Sequence, residues 1–139
     1  ISAKLEQQLG EELQRQHEAS RRVLLVGHYP FAYPEGVHGA WEHKLLEAER
    51  LIKLVEEFKP LIYFHGHKHI RWALRHAETL CVNCGAAGMQ SEDPMKQAGF
   101  ITLELDEASG GVSEITGHRL LNVESGAFET NPVAASVSE

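Results

Sequence analysis

The chain has 139 residues, a formal net charge of −7 and 42% hydrophobic residues, which suits one globular domain or a large part of one. Its 13 basic and 20 acidic residues argue against a general nucleic-acid surface or an anionic-membrane surface, since both need clustered Lys and Arg. No apolar run reaches the roughly 18 residues of a membrane-spanning helix, so no membrane partner is expected. No secretory signal is present, and the start at Ile1 suggests a processed or truncated product.

The first half of the chain predicts a helix followed by a strand–helix–strand unit. Leucines recur with helical spacing, and two short apolar runs are typical of strands covered on both faces. A strand–helix–strand order predicts parallel pairing of the two strands in a βαβ unit. The predicted elements are a helix over 2–19, a strand over 23–27, an irregular loop over 31–40, a helix over 41–59 and a strand over 61–65.

The second half of the chain predicts antiparallel hairpins, because apolar and polar residues alternate with the period of a strand. Two pairs of strands are expected, around 71–76 with 80–84, and around 101–105 with 112–119. Residues 121–139 are rich in Ser, Ala, Asn and Glu and show no periodicity, which predicts a loosely ordered tail.

Two cysteines, Cys81 and Cys84, form a single C-x-x-C motif at the end of a predicted strand. One such motif without a second pair is a weak zinc signal, and a redox pair normally opens a helix. We interpret both residues as ordinary, partly buried thiols of a protein in a reducing compartment, and we predict a cytoplasmic location.

Histidines stand where the two strands of the βαβ unit end. His28 follows the first strand, and the run Gly66-His67-Lys68-His69 follows the second. If the chain stays extended past Gly66, His67 and His69 point to the same side, because side chains alternate along a strand. The carboxyl ends of parallel strands share one edge of the sheet, which brings His28 near them. These three imidazoles are therefore the candidate metal ligands.

Two further histidines receive weaker predictions. His65 precedes Gly66, from where it would donate a hydrogen bond that orients a metal ligand. His38 lies on the irregular loop, where it would contact a substrate. The remaining histidines are interpreted as surface or packing residues: His17, His43, His76 and His118.

The same stretches resemble the C-terminal half of the calcineurin-like metallophosphoesterase family. That family carries a strand-end histidine, usually before a proline, then a helix, then a strand that runs into G-H-x-H. A later strand pair often reaches an Asn and a Gly-Ser-type loop. The matching stretches are 23–30, 61–69 and 83–86, and the resemblance covers about residues 5–118. Ala86 stands where the family often has Ser, so no role is assigned to that loop.

The resemblance implies an α/β fold, namely a partial metallophosphoesterase-type β-sandwich flanked by helices. Residues 1–120 would be the C-terminal portion of that domain. The implied activity is hydrolysis of a phosphomonoester or phosphodiester by a hydroxide held between two divalent ions, Mn, Fe or Zn. His28 and His67 would ligate one ion and His69 the other. No protein side chain is implied as the nucleophile.

The family's front motifs, D-x-H, G-D-x-x-D and G-N-H-[DE], are absent from this sequence. Only two aspartates are present, Asp93 and Asp106, and neither fits those motifs. The chain would thus supply only the histidine ligands, with the missing N-terminal half of the domain as its partner and an exposed sheet edge where that half belongs. Two alternatives stay open: a non-catalytic interaction or scaffold domain that retains the fold, and a mononuclear zinc-binding protein that uses the three histidines.

Overall fold

The computed structural model describes residues 1–37, 45–94 and 96–137. Within these ranges the chain forms two helices and eight strands. In chain order they are α1 (Ala3–Glu18), β1 (Leu24–Val26), α2 (Ala48–Phe58), β2 (Ile62–His65), β3 (Arg71–His76), β4 (Thr79–Cys84), β5 (Gly99–Leu105), β6 (Val112–Asn122), β7 (Ala127–Pro132) and β8 (Ala135–Val137).

The strands form two sheets, one with the order β1-β2-β4-β3-β8 and one with the order β5-β6-β7. β1 and β2 are parallel, with Leu25 opposite Tyr63, and β4 continues the parallel pairing on the other side of β2. β3 and β4 pair antiparallel, as do β5 and β6. The predicted parallel βαβ unit and both predicted hairpins are therefore confirmed.

The five-stranded sheet has helices on one face and the three-stranded sheet on the other. Along β2, Tyr63 belongs to a core cluster that includes Leu51 and Val55 of α2. Its neighbour Ile62 belongs to a second cluster, against which side chains of β5 and β6 pack, Ile101 and Ile115 among them. This alternation is what a strand between two layers requires. The predicted α/β fold class, a partial β-sandwich flanked by helices, is confirmed.

The two helices approach each other closely at Gly10. A Cβ atom at this position would lie 3.4 Å from Cδ2 of Leu54, which is an ordinary van der Waals contact. An ion pair between Glu6 and Arg50, at 2.6 Å, joins the same two helices.

α2 begins later than the sequence predicts. The described residues 45–47 are not helical, and Glu47 has a left-handed backbone with φ +53°. Leu45 still packs against the first core cluster, which explains why it fits the helical period without belonging to the helix. The start of the predicted helix, at Trp41, lies outside the described residues. The predicted end is confirmed, because the helix stops at Phe58, before Pro60.

The expectation of a loosely ordered tail over 121–139 is wrong for the residues that the structure describes. β6 runs through position 120 to Asn122, and β7 and β8 follow it. β7 pairs with β6, and β8 pairs in parallel with β3, where Ala135 lies opposite Ala73. Backbone pairing at a sheet edge does not require an alternating apolar pattern, which is why hydrophobic periodicity gave no sign of these strands.

β1 is an edge strand with an uncovered face, so the expectation that it is covered on both faces is wrong. Leu24 is 51% exposed and Val26 is 81% exposed. Of the strands that the structure describes, only β2 pairs with β1. On the opposite side, the short connection 133–134 joins β7 directly to β8 and so closes the sandwich. The sandwich is therefore open on the side of β1.

The open β1 edge is expected to cause self-association of the 139-residue chain, because an unpaired apolar edge is a template for another strand. Substituting Val26→Lys should reduce that association, as a charge on an edge strand opposes pairing. Sedimentation velocity at increasing protein concentration measures the effect. Val123→Lys, at a 60% exposed position between β6 and β7, is the matched control. An equal reduction by both variants would mean that added charge, and not the β1 edge, controls association.

Candidate metal centre

The ends of β1 and β2 stay joined beyond the strands themselves. The amide of Gly27 donates to the carbonyl of Phe64 at 2.8 Å, and the amide of Gly66 donates to the carbonyl of His28 at 3.1 Å. His28 and His67 therefore follow two strand ends that backbone hydrogen bonds hold side by side. This is the carboxyl edge of a parallel sheet, where open α/β folds bind their ligands.

The two histidine rings meet at this edge. Nε2 of His28 lies 3.1 Å from Nδ1 of His67, and the ring centroids are 5.1 Å apart. The chain bends after His65 and does not stay extended, and His67 adopts a left-handed backbone with φ +65°. Histidine is one of the few non-glycine types enriched in that conformation. The closeness of His28 to His67 agrees with the parallel pairing of β1 and β2, whereas the alternation expected of His67 and His69 is absent. The role of these histidines as metal ligands stays a prediction.

His69 does not join the pair. Its side chain is exposed, and the bend at 67–70 removes the alternation that would align it with His67. Across residues 1–37, 45–94 and 96–137, no group of three or more His, Cys, Asp and Glu side chains is placed to hold a metal ion. The structure thus brings together two of the three predicted ligands.

The spacing of the two ring nitrogens fits two ligands of one ion. Two histidine nitrogens bound to a tetrahedral zinc at about 2.05 Å lie about 3.3 Å apart. The observed 3.1 Å between Nε2 of His28 and Nδ1 of His67 is close to that value. The same distance is that of a hydrogen bond between the two rings. The described part of the chain therefore offers at most two nitrogen ligands to one ion at this place.

Tyr29 is a member of this site that the sequence did not single out. Its ring lies 4.8 Å from that of His28 and 4.4 Å from that of His67, measured between centroids. The hydroxyl of Tyr63 donates to the carbonyl of Tyr29 at 2.7 Å, which ties this turn to the core of the sheet. The only sequence signal was adjacency to His28, since an aromatic residue after a strand has many other uses.

His65, predicted to orient a ligand, is buried with a relative exposure of 4%. Neither of its ring nitrogens has a hydrogen-bond partner among the described residues. Burial lowers the pKa of His65 to about 4, and the backbone of Gly66 opposes that shift. The ring lies between those of Tyr63 and Trp72, at centroid distances of 5.4 and 5.5 Å. In the described residues His65 is a neutral packing group, and its orienting role stays a prediction.

Asn83 restrains the loop that carries His67. It is fully buried on β4, and its Nδ2 donates to the carbonyl of Lys68 at 2.8 Å. The sequence matched Asn83 to a family position but predicted no such bond. His38, the predicted substrate-contacting residue, lies outside the described residues.

The two cysteines are free. Burial raises the pKa of Cys81 to about 12 and also raises that of Cys84. Cys81 is buried and Cys84 is half-buried, which agrees with the interpretation of both as partly buried thiols. No described helix has the length and apolar character needed to cross a membrane. The cytoplasmic location stays a prediction.

Comparison with known proteins supports the fold and not a family assignment. The sequence matches no protein-family model and no curated protein. Among solved structures, the chain is similar to GAP50, described as the anchor in the inner membrane complex of Plasmodium. That match has a TM-score of 0.59 and 15% identity, and it covers 97% of this chain and 45% of that one.

Two structures of Vps29 from Entamoeba histolytica are also similar to the chain. One contains Zn²⁺ and matches with a TM-score of 0.44 and 21% identity, over 78% of this chain and 53% of that one. The other is a single-substitution variant, with a TM-score of 0.42 and 22% identity, over 70% and 52%. The chain thus spans about half the length of each solved structure that it matches here. What the structure defines is the class of fold, a helix-flanked partial β-sandwich, and the similarity to GAP50 supports that fold alone.

Proposed function

We propose that this chain supplies the histidine side of a metal-dependent phosphoesterase. The observation that carries the proposal is the His28–His67 pair, with its ring nitrogens 3.1 Å apart at the carboxyl ends of two adjacent parallel strands. A spacing suited to two ligands of one ion, at the edge where such folds bind ligands, favours a metal centre over two unrelated surface histidines.

The substrate of the complete protein would be a phosphomonoester or a phosphodiester. When bound, a pair of Mn, Fe or Zn ions supplies the charge neutralisation and water activation that this hydrolysis needs. His28 and His67 would hold one ion, and His69 would reach the other. The carboxylate ligands would come from an N-terminal half of the domain, which is the proposed partner of this chain.

The residues around the pair have defined supporting roles. Tyr63 holds the turn that follows β1 through its bond to Tyr29, and Asn83 holds the loop that follows β2 through its bond to Lys68. Both anchors are buried in the sheet, so the two histidine loops are positioned by the core. Such pre-positioning lowers the ordering cost of binding an ion.

Zinc and manganese titrations by isothermal titration calorimetry test the proposed ligands. His28→Ala and His67→Ala should each weaken zinc binding by at least about tenfold, because each removes one of only two nitrogen ligands. His17→Ala, at an exposed position on α1, is the matched control and should bind like the parent chain. Equal binding by all four proteins would rule out the pair as a metal site.

Hydrolysis of p-nitrophenyl phosphate and of bis-p-nitrophenyl phosphate tests the activity. The 139-residue chain should be inactive, and any longer product of the same gene should bind two ions and hydrolyse one of the two esters. Absence of hydrolysis by the longer product with its metals bound would sink the phosphoesterase proposal. A single zinc that requires His69 as well as the pair would instead identify a mononuclear zinc protein.

A non-catalytic scaffold domain is the second candidate. It is favoured by the absence of a third ligand near the His28–His67 pair in the described ranges. One protein of similar fold, GAP50 of Plasmodium, is described as an anchor. Under this alternative a variant of the longer product in which both His28 and His67 are replaced would still bind a protein partner. The unaltered longer product would hydrolyse neither ester.

A further inference from the structure

One end of the sandwich interior is polar, unlike the rest. Inward-facing residues of β5 and β6 are apolar at Ile101 and Ile115, which pack against the second core cluster. Further along the same face, β6 presents Gly117 and Arg119, opposite Asn131 and Glu129 of β7. Asn131 is exposed and the side chain of Glu129 is 42% exposed, so this end of the sandwich is a groove open to solvent and not a core.

These residues line a cavity of about 370 Å³ between the two sheets. Arg71 enters it from β3, and Pro132 and Val133 form part of its apolar wall. A Cβ atom on Gly117 would lie 3.1 Å from Cγ2 of Val133, so the missing side chain at position 117 keeps part of this space open.

Arg71 is held in place by its surroundings. Cβ atoms on Gly85 and Gly99 would each lie 2.9 Å from its side chain, so both glycines make room for it. Its Nη1 donates to the carbonyl of Gln97 at 2.7 Å. Burial, together with the charge of Arg119, lowers the pKa of Arg71, so the two guanidinium groups act on each other across the cavity.

Arg119 is only partly satisfied. Its Nη2 donates to Oε2 of Glu129 at 2.5 Å, while its buried Nε has no hydrogen-bond partner among the described residues. A buried donor left unpaired is costly, and a guanidinium group presents its donors in a fork that matches carboxylate and phosphate oxygens. With two arginines and one carboxylate in its lining, the cavity carries a net charge of +1 in a chain of charge −7.

We propose that this cavity binds a small organic anion through a carboxylate or phosphate group held by Arg119 and Arg71. Asn131 adds an amide to the polar wall, and the apolar wall receives the rest of the ligand. Arg71 also donates from Nη2 to the carbonyl of Pro94 at 3.4 Å, so backbone carbonyls orient its guanidinium, and no carboxylate is paired with it among the described residues. The site is separate from the His28–His67 pair and does not depend on a metal.

Amide chemical-shift mapping with inorganic phosphate and with succinate tests the proposal. The full 139-residue chain is titrated at constant ionic strength with the neutral chelator 1,10-phenanthroline present, which removes any metal-bound response. Saturable shifts at Gly117 and Asn131 below about ten millimolar are expected for at least one probe. A response to phosphate alone assigns a phosphate ester, and a response to succinate alone assigns a carboxylate ligand.

Two variants locate the binding. Arg119→Gln removes the fork, and Gly117→Val keeps both arginines but fills the cavity; each should weaken binding by about tenfold or more. Arg15→Gln, on the exposed face of α1, removes the same charge elsewhere and should bind like the parent chain. Non-saturable shifts, or affinity lowered equally by Arg15→Gln, would overturn the proposal, whether or not the phosphoesterase proposal stands.

Discussion

Replacing Gly27 with alanine is expected to destabilise the chain by about 2–4 kcal/mol, because the new methyl group would overlap the ring of Tyr63. A Cβ atom built on Gly27 would lie 2.9 Å from Cζ of Tyr63 and still closer to its hydroxyl oxygen. Moving that hydroxyl would break its hydrogen bond to the carbonyl of Tyr29, next to His28. Urea unfolding measures the stability loss, and zinc titration shows whether the histidine turn moves with it.

A double-mutant cycle isolates the cause of the Gly27 effect. In a Tyr63→Phe background the nearest atom is gone, so Gly27→Ala should cost less than it does in the parent chain. Gly88→Ala is the matched control, since a Cβ atom there has nothing within 4 Å. Equal costs in the two backgrounds would show that the Tyr63 hydroxyl is not what Gly27 accommodates.

The substitution Asn83→Leu is expected to cost about 1–3 kcal/mol and to weaken zinc binding by about tenfold. Leucine has a similar volume but cannot donate to the carbonyl of Lys68, which is then left without its bond in a part-buried loop. That loop carries His67, and loss of a group that positions a ligand typically weakens metal binding by tenfold or more.

Urea unfolding and zinc titration of the same Asn83→Leu preparation separate the two effects. Asn122→Leu, at the exposed end of β6, removes an acceptor for the amide of Ser125; it is the control and should leave zinc affinity unchanged. Lower stability with unchanged zinc affinity would make Asn83 a residue of the fold only, without a part in the metal centre.

The strands of the βαβ unit and of the two hairpins were predictable because their apolar residues form continuous runs or alternate with polar residues. The apolar run that ends at His65 and the alternation around Trp72 both result from burial between layers. Such burial is visible in the hydrophobic pattern of the sequence. β7 and β8 escaped prediction because they are edge strands with few apolar residues, held by backbone pairing to β6 and β3. Hydrophobic patterns carry no information about such pairing.

The candidate site was predictable in part for a similar reason. Strand order places His28 and His67 at one edge, and their meeting needs only parallel pairing of β1 with β2. The separation of His69 from them depends on the left-handed turn at His67, a backbone conformation that no residue pattern here signals. The arginine cavity depends on which face of β6 and β7 turns inward, and the sequence left β7 unpredicted.

The two-residue connection between β7 and β8 determines which edges of the two sheets remain available for additional strands. This connection brings the β7 edge beside the β8 edge, and among the described strands β1 and β5 are the other edge strands of the two sheets. A hydrogen bond from Arg22, just before β1, to the carbonyl of Ser109 in the β5–β6 turn connects the two sheets. Strands added at the β1 edge or at the β5 edge would lengthen one sheet without breaking any strand pair already formed, so the described fold can accept them without rearrangement.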